Sequence, residues 1–482
     1  MKLSKVIEGF ESILIKGNID SEITGIAYDS RSVDEGYAFV CIKGFKTDGH
    51  NYINDAVSKG ARVVVVESDV EIPKGITALK VHDTREALAL MSAAYYGFPS
   101  RSMKLIGVTG TNGKTTTTYL IKSILEQNGY KVSLIGTISN IIDGKAIEAK
   151  RTTPESSDLQ EMFSQMRDVS TDYCVMEVSS HSLALKRVEG CFFNVGIFTN
   201  LTRDHLDFHK TFENYLNAKM KLFKQSAVAA VNLDDNYSNE VLSRITTPVI
   251  GYSEEDKGDV KASDVEVNSK YTSFTLRYKG ESIKIKLTLP GRFNVYNALA
   301  AASACIAEGV HLNVIKQGLE NVKSVAGRSE VIDSGRGFTI IIDYAHTPDG
   351  LKNILKTIRE YAKAKVITVF GCGGDRDKTK RPEMGEIAGK LSDFCFVTSD
   401  NPRTEDPEAI INDILPGIKK TSAPYEVVTD RKEAIKRSIN KAERGDVVLI
   451  AGKGHETYQV LNNRTIHFDE REIINEILND KL

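Results

Sequence analysis

The segment that most limits what this chain can fold into runs Leu105-Ile-Gly-Val-Thr-Gly-Thr-Asn-Gly-Lys-Thr-Thr116. An apolar run feeds a glycine-rich loop that ends in Lys-Thr and opens into a helical pattern from Thr115 to Asn128. Leu120, Ile121, Ile124 and Leu125 share one face of that helix, and Gly129 stops it. Such a strand–loop–helix unit aims backbone N–H groups at a polyphosphate. Gly110, Thr111, Asn112, Gly113 and Thr116 belong to the loop and first turn, Lys114 reaches the terminal phosphates, and Thr115 offers a hydroxyl to Mg²⁺. The spacing departs from strict G-x-x-x-x-G-K-[ST]. Val108 stands where the first glycine belongs, with Gly107 one position early and Gly110 inside the loop. A glycine-rich loop alone is often only a turn, but strand, Gly-Lys-Thr and capped helix together point to a bound nucleoside triphosphate.

At 482 residues the chain has room for about three domains of roughly 150 residues each. A net charge of −2 gives no global field for nucleic acid or an anionic membrane. Met1-Lys-Leu-Ser-Lys5 leads into Glu8 and Glu11 without an apolar h-region, so no signal peptide is expected. No apolar run approaches the roughly 20 residues that span a bilayer. Cys41, Cys174, Cys191, Cys305, Cys372 and Cys395 show no C-x-x-C spacing, which reads as buried free thiols in a reducing cytoplasm.

One device recurs along the chain: a short apolar run ends abruptly in polar residues. Tyr173–Val178 runs into Ser179-Ser-His181, and Val195–Phe198 into Thr199-Asn200 and Arg203-Asp-His205. Phe338–Ile342 runs into Asp343-Tyr-Ala-His346, Val366–Phe370 into Gly371-Cys-Gly-Gly-Asp-Arg376, and Val447–Ile450 into Ala451-Gly-Lys-Gly-His-Glu456. Continuous apolar strands alternating with helical segments predict parallel sheets covered on both faces, with ligands beyond the carboxyl ends of the strands. Breaks at Tyr95–Lys104 and around Val325–Arg328 divide the chain into three expected domains. These are a small N-terminal α/β domain (1–98), a central domain (99–326) with a P-loop-type, mostly parallel sheet, and a C-terminal Rossmann-like α/β domain (327–482). Ala61–Glu67 reads as a buried strand of the first. Gln459–Arg464 reads as a hairpin, which predicts a mixed C-terminal sheet.

Several residues invite chemistry but carry plain readings as well. Glu177 ends an apolar strand, where a carboxylate beside a phosphate loop holds Mg²⁺ or simply meets solvent. His205 fits a metal ligand, a base or a cap. Lys219, among Tyr215, Leu216, Ala218, Met220 and Phe223, is by itself a snorkelling lysine. Arg376, Asp377, Lys378, Lys380 and Arg381 form either a solvated face or an anion site. Asp400-Asn-Pro-Arg403 is either a turn or a carboxylate clamp.

Taken together these blocks resemble the ATP-dependent Mur ligases of peptidoglycan precursor synthesis, over the whole chain. The resemblance rests on Gly110–Thr116, Thr199–Asp207, Tyr215–Lys219, Gly291-Arg-Phe-Asn294 with Asn297, Gly327-Arg328, Asp343–Pro348 and Ala451–Glu456. Tyr28-Asp-Ser-Arg31, Arg151-Thr-Thr-Pro154 and Gly373–Asp377 are most similar to the member that adds the third residue to UDP-N-acetylmuramoyl-L-alanyl-D-glutamate. The resemblance implies transfer of the ATP γ-phosphate to a carboxylate, attack of an amine on the acyl phosphate, and loss of phosphate. Lys114, Lys219 and His205 are then the catalytic residues. Thr115 and Glu177 serve one Mg²⁺, and His205 with a carbamylated Lys219 serves a second.

By the same resemblance Asn294 faces the adenine, and Arg328 and Asp343 reach the nucleotide. Ser30 lies near the uridine, while Thr152, Thr153, Ser179 and Arg187 hold the muramoyl dipeptide. The added amino acid meets Arg376, Asp400, Asn401, Pro402, Arg403, Gly452 and Glu456. Members that add meso-diaminopimelate resemble this chain at Asp400–Arg403. A guanidinium grips the distal carboxylate that L-lysine lacks, and an unpaired Arg403 rejects lysine by about 10⁴-fold. The expected partners are therefore ATP, UDP-muramoyl dipeptide and meso-diaminopimelate, for a monomeric cytoplasmic enzyme with no nucleic acid and no membrane insertion. The alternatives are the same reaction with L-lysine, a folylpolyglutamate synthetase-like ligase, and a nucleotide-dependent switch ATPase.

Overall fold

A computed structural model describes residues 1–45, 47–462 and 464–479. The chain is α/β throughout, with a five-stranded, an eleven-stranded and a six-stranded sheet and one two-stranded ribbon among the described residues. It divides into two compact units. The first comprises 1–109, 130–196 and 218–228, and the second comprises 110–129, 197–217 and 229–482.

In the first unit the N-terminal sheet has strand order Ile13–Lys16, Thr77–Lys80, Val63–Val66, Tyr37–Val40, Gly25–Ala27. All neighbours are parallel except the first pair. Val63–Val66 is buried at every position, as a strand covered on both faces must be. Strands Lys104–Thr109, Tyr173–Glu177 and Val132–Ile135 are parallel neighbours of the large sheet. Their core gathers Leu105, Leu159, Phe163, Cys174, Met176, Phe193 and Leu222.

In the second unit helix Lys114–Gln127 lies against helix Leu312–Asn321. Ser123 Oγ donates to Gly318 O at 2.7 Å, and Gly129 ends the helix with φ 87°. The C-terminal sheet runs Glu330–Asp333, Thr339–Asp343, Val447–Ala451, Val366–Phe370, Phe394–Val397, Tyr425–Val427. Alternate residues feed two cores: Ile341, Val366, Phe370 and Leu449 on one face, and Ile340, Ile342, Ile367 and Ile450 on the other.

Two expectations need refinement. The parallel part of the large sheet carries antiparallel strands beyond it. Ser139–Ile142 pairs with Lys145–Glu148, and Thr272–Tyr278 with Glu281–Leu287. Each pair closes on a two-residue turn, Asp143-Gly144 (φ 52° and 73°) or Lys279-Gly280 (φ 47° and 83°), the positive-φ geometry that favours tight hairpins. The C-terminal sheet is mixed as expected, but because Glu330–Asp333 runs antiparallel to Thr339–Asp343. The predicted hairpin, Tyr458–Leu461 with Arg464–His467, forms its own two-stranded ribbon instead. All six cysteines are buried and free. No helix among the described residues is long and apolar enough to cross a membrane.

Candidate active site

The phosphate loop is held from several sides within the second unit. Thr199 Oγ1 and Asn200 Nδ2 donate to Asn112 O at 2.7 and 3.1 Å, and Asn112 N donates to Asn200 Oδ1 at 2.8 Å. Gly110 has φ 150°, and a Cβ there would fall 1.8 Å from Thr199 Oγ1, so only glycine fits. Lys114 Nζ donates to the carbonyls of Gly110 and Thr111 at 2.9 and 2.8 Å. Thr111 Oγ1 meets Tyr215 OH at 3.1 Å, and the Tyr215 ring stands edge-on to His205. Thr116 is buried in the first helical turn.

Residues far along the chain reach the same loop. Arg328 Nη2 donates to Thr115 Oγ1 at 3.0 Å while its guanidinium lies 4.5 Å from the Tyr344 ring centre. Asn112 Nδ2 donates to Asp349 Oδ2 at 3.0 Å, and burial raises the Asp349 carboxyl above its usual value. Asp343 accepts from Ser329 N at 2.7 Å. Its carboxyl is pushed up by burial, which outweighs the lowering effect of Arg328. Asn294 is buried, donating to Pro290 O and accepting from Asn297 Nδ2, both at 2.9 Å.

The strand-end loops of the C-terminal sheet hold a second polar cluster. Asn401 Nδ2 donates to Glu456 Oε2 at 2.8 Å, and Asn401 Oδ1 accepts from Lys453 Nζ at 3.2 Å and Val460 N at 2.9 Å. Lys453 also reaches Glu456 Oε2 at 3.0 Å and is fully buried. Arg403 has φ 52° and donates from Nη1 to Gly374 O at 2.9 Å. Arg376 is exposed, Pro402 O accepts from Glu405 N, and Gly452 lies beside the buried Asp400 carboxylate. Arg403 and Glu456 thus bring one guanidinium and one carboxylate to the same end of the sheet.

In the first unit Glu177 is buried at a strand end, accepting from Thr137 N at 2.8 Å and Thr137 Oγ1 at 3.0 Å. Lys219 is buried, 1% exposed, on helix Phe212–Lys224. Hydroxyl and carboxylate oxygens are donors that suit a hard divalent cation. Among the described residues no group of three or more His, Cys, Asp or Glu forms a metal cluster by itself.

Three arginines of that unit surround Glu155. Arg187 Nε and Arg151 Nη1 bond to Glu155 Oε2 at 3.1 and 3.2 Å, and Arg85 lies 3.9 Å away. Arg187 Nη1 donates to Thr153 O, Thr153 Oγ1 accepts from Ser179 N, and Thr152 Oγ1 meets Thr137 Oγ1. Ser30 begins a 3₁₀ turn capped by Asp29, and Tyr28 OH donates to Asp158 Oδ2 at 3.0 Å.

Three family descriptions fall on successive stretches of the chain: the "Mur ligase family, catalytic domain" on 22–96, the "Mur ligase middle domain" on 108–305, and the "Mur ligase, glutamate ligase domain" on 327–454. A UDP-N-acetylmuramoyl-L-alanyl-D-glutamate–2,6-diaminopimelate ligase of Clostridium tetani (strain Massachusetts / E88) is 51% identical, covering 100% of both chains. The chain belongs to the Mur ligase family. A solved structure of a ligase of that same name superposes on this Mur ligase with a TM-score of 0.71 and 30% identity, covering 100% of this chain and 99% of the other. The MurF ligase of Thermotoga maritima in complex with ADP shares the fold at 20% identity and a TM-score of 0.65, covering 95% of this chain and 98% of the other.

Sequence reading of this Mur ligase missed Lys453, Asp349, Glu155 and the Arg381–Glu405 pair. Lys453 lay inside the Ala451–Glu456 block. The others take their meaning mostly from partners tens to hundreds of residues away, although Arg151 stands four residues before Glu155.

Proposed function

We propose that this Mur ligase uses ATP to join meso-2,6-diaminopimelate to the D-glutamate γ-carboxylate of UDP-N-acetylmuramoyl-L-alanyl-D-glutamate, in peptidoglycan precursor synthesis. What carries the reading is the end-to-end likeness, 51% identical, to a relative named for that reaction. Arg403 and Glu456 at one end of the C-terminal sheet support the choice of amino acid. A carboxylate is a poor electrophile, so it is first phosphorylated by ATP and then attacked by the amine. Lys114 and the loop N–H groups offset the charge that builds as two anions meet. Thr115 and Glu177 are the proposed ligands of one Mg²⁺, and His205 and a carbamylated Lys219 those of a second. Bound Mg²⁺ supplies Lewis-acid stabilisation of phosphoryl oxygens.

Ser30 serves the uridine end, and Thr152, Thr153, Ser179 and Arg187 serve the muramoyl dipeptide. Asn294, Arg328 and Asp343 serve the nucleotide. Arg376, Asp400, Asn401, Pro402, Arg403, Gly452 and Glu456 serve the amino acid. Both ends of the Asn401 side-chain amide are taken by protein groups, so its role is to orient Glu456. The enzyme is proposed to act as a cytoplasmic monomer divided at 1–98, 99–326 and 327–482.

The test is ligation by the purified protein with Mg·ATP, the UDP-muramoyl dipeptide and either meso-diaminopimelate or L-lysine, read by product mass and phosphate release. Product with diaminopimelate alone is expected. Product with lysine overturns the amino-acid assignment, and phosphate release that needs neither amino acid points to a switch ATPase.

A further inference from the structure

Arg381 is a buried guanidinium, 1% exposed, that the proposed chemistry does not use. Nη1 donates to Glu405 Oε2 at 3.0 Å and to Asp413 Oδ2 at 2.8 Å, and Nη2 donates to Glu405 Oε1 at 2.8 Å. Burying such a pair seldom stabilises a fold more than apolar side chains of the same volume, so its placement calls for another reason. Glu405 Oε1 also accepts from Asp375 N at 2.6 Å. Glu405 therefore ties the loop after strand Val366–Phe370 to the loop after strand Phe394–Val397.

The two loops are joined by further bonds. Thr404 Oγ1 donates to Asp375 Oδ1 at 2.7 Å, Gly374 N to Asn401 O at 2.9 Å, and Arg403 Nη1 to Gly374 O at 2.9 Å. A Cβ on Gly374 would fall 1.9 Å from Pro402 O, so the backbones touch. One loop carries Arg376 and the other Arg403.

We propose that the Arg381–Glu405 pair is a positioning device that sets Arg376 and Arg403 for the distal carboxylate of the amino acid, and so governs selectivity for a substrate that carries it. The pair acts through those two arginines, and only if residues 400–403 hold the amino acid as proposed above. Loops freed by an ångström misplace a guanidinium enough to cost up to about 100-fold.

The test compares E405Q, R381K and D413N with the wild-type enzyme in full ligation kinetics. E405Q keeps an acceptor for Asp375 N but loses the charge. R381K keeps the charge but loses the fork. Both are expected to raise the diaminopimelate KM at least about tenfold and to lower the preference over L-lysine by a similar factor, with the ATP KM within about twofold. D413N removes a partner of Arg381 on helix Pro407–Ile418 without touching either loop, and is expected to leave all KM values near wild type. A diaminopimelate KM unchanged in both E405Q and R381K overturns the proposal. So does a proportional rise in every KM, or D413N matching E405Q. If E405Q does not fold, R381K decides alone. Wild-type enzyme that fails to ligate diaminopimelate refutes the functional reading itself, whatever the variants do.

Discussion

Arg328 donates from Nη2 to Thr115 Oγ1 at 3.0 Å, joining residue 328 to the hydroxyl that heads the phosphate-loop helix. The guanidinium also lies over the Tyr344 ring, so its direction is fixed by stacking as well as by the bond. In the proposed reaction a cation held there would meet developing phosphate charge. R328A is expected to raise the ATP KM by about tenfold or more and leave the diaminopimelate KM within about twofold. R328K is expected to recover little, because an ammonium neither stacks nor forks in the same way. Equal shifts in both KM values would remove Arg328 from the nucleotide site.

Glu155 has a buried side chain and holds Arg187 and Arg151 at 3.1 and 3.2 Å. Burial lowers the Arg187 guanidinium pKa from its ordinary value, and the neighbouring Arg151 and Arg85 charges lower it further, against the pull of Glu155. E155Q therefore leaves three guanidiniums without a carboxylate. The variant is expected to raise the UDP-muramoyl dipeptide KM about tenfold with the ATP KM unchanged. Steady-state kinetics with each substrate varied in turn check this, and an unchanged dipeptide KM sinks it.

Local pattern made the strands legible. Val366–Phe370 and Val447–Ala451 are continuous apolar runs because both faces of their sheet are covered, and their polar followers mark where ligands gather. The hairpin strands were overlooked because half-exposed strands such as Glu281–Leu287 are rich in charge. Their signal was the turn, Lys279-Gly280, rather than the strand. Lys219 shows the limit on the site side. Its spacing on an apolar helix reads the same for a snorkelling lysine as for a buried one, and only tertiary packing distinguishes them. Local reading reaches only Arg151 among the partners of Glu155, and it leaves Arg381 in a charge run; Arg187 and Arg85 around Glu155, and Glu405 and Asp413 around Arg381, are brought in by topology.

Glu405 offers a pH test of the Arg381 clamp. Hydrogen bonding from Arg381 lowers its carboxyl to about 2, against an ordinary 4.5. A carboxyl depressed on folding contributes stability that is fully present above its unfolded value and is lost as pH falls toward its folded one. Wild-type thermal stability should therefore decline more steeply than that of E405Q from about pH 5 down to about pH 3. Parallel melting-temperature profiles would show that the clamp adds no linkage.

Lys219 is buried on its helix, and the proposed carbamate, formed when the neutral amine captures CO₂ with loss of a proton, would present oxygen atoms instead of an ammonium. K219A is expected to cut ligation to below about a thousandth of wild type. Added formate or acetate should restore part of it by supplying a carboxylate in the space the side chain leaves. Intact-protein mass spectrometry under bicarbonate gives an independent reading, as an added 44 Da that acid removes, a mass fixed by CO₂ itself. Neither rescue nor added mass would leave Lys219 an ordinary buried cation.

Arg403 is the residue proposed to decide between diaminopimelate and lysine. It stands in a left-handed backbone conformation (φ 52°), which an arginine adopts only where the surrounding loop imposes it, and its Nη1 bonds to Gly374 O. A carboxylate arriving there gains a forked, charge-assisted pair of bonds, whereas lysine offers nothing to accept them. R403A is expected to raise the diaminopimelate KM about 100-fold or more, with little change for ATP. R403K should remain about tenfold impaired, because the ammonium keeps the charge but not the fork. Lysine is expected to be poor both before and after the change, so the ratio of kcat/KM for the two amino acids should collapse toward one. A variant that retains its preference for diaminopimelate would place the recognition of the distal carboxylate elsewhere, with Arg376 the next residue to substitute.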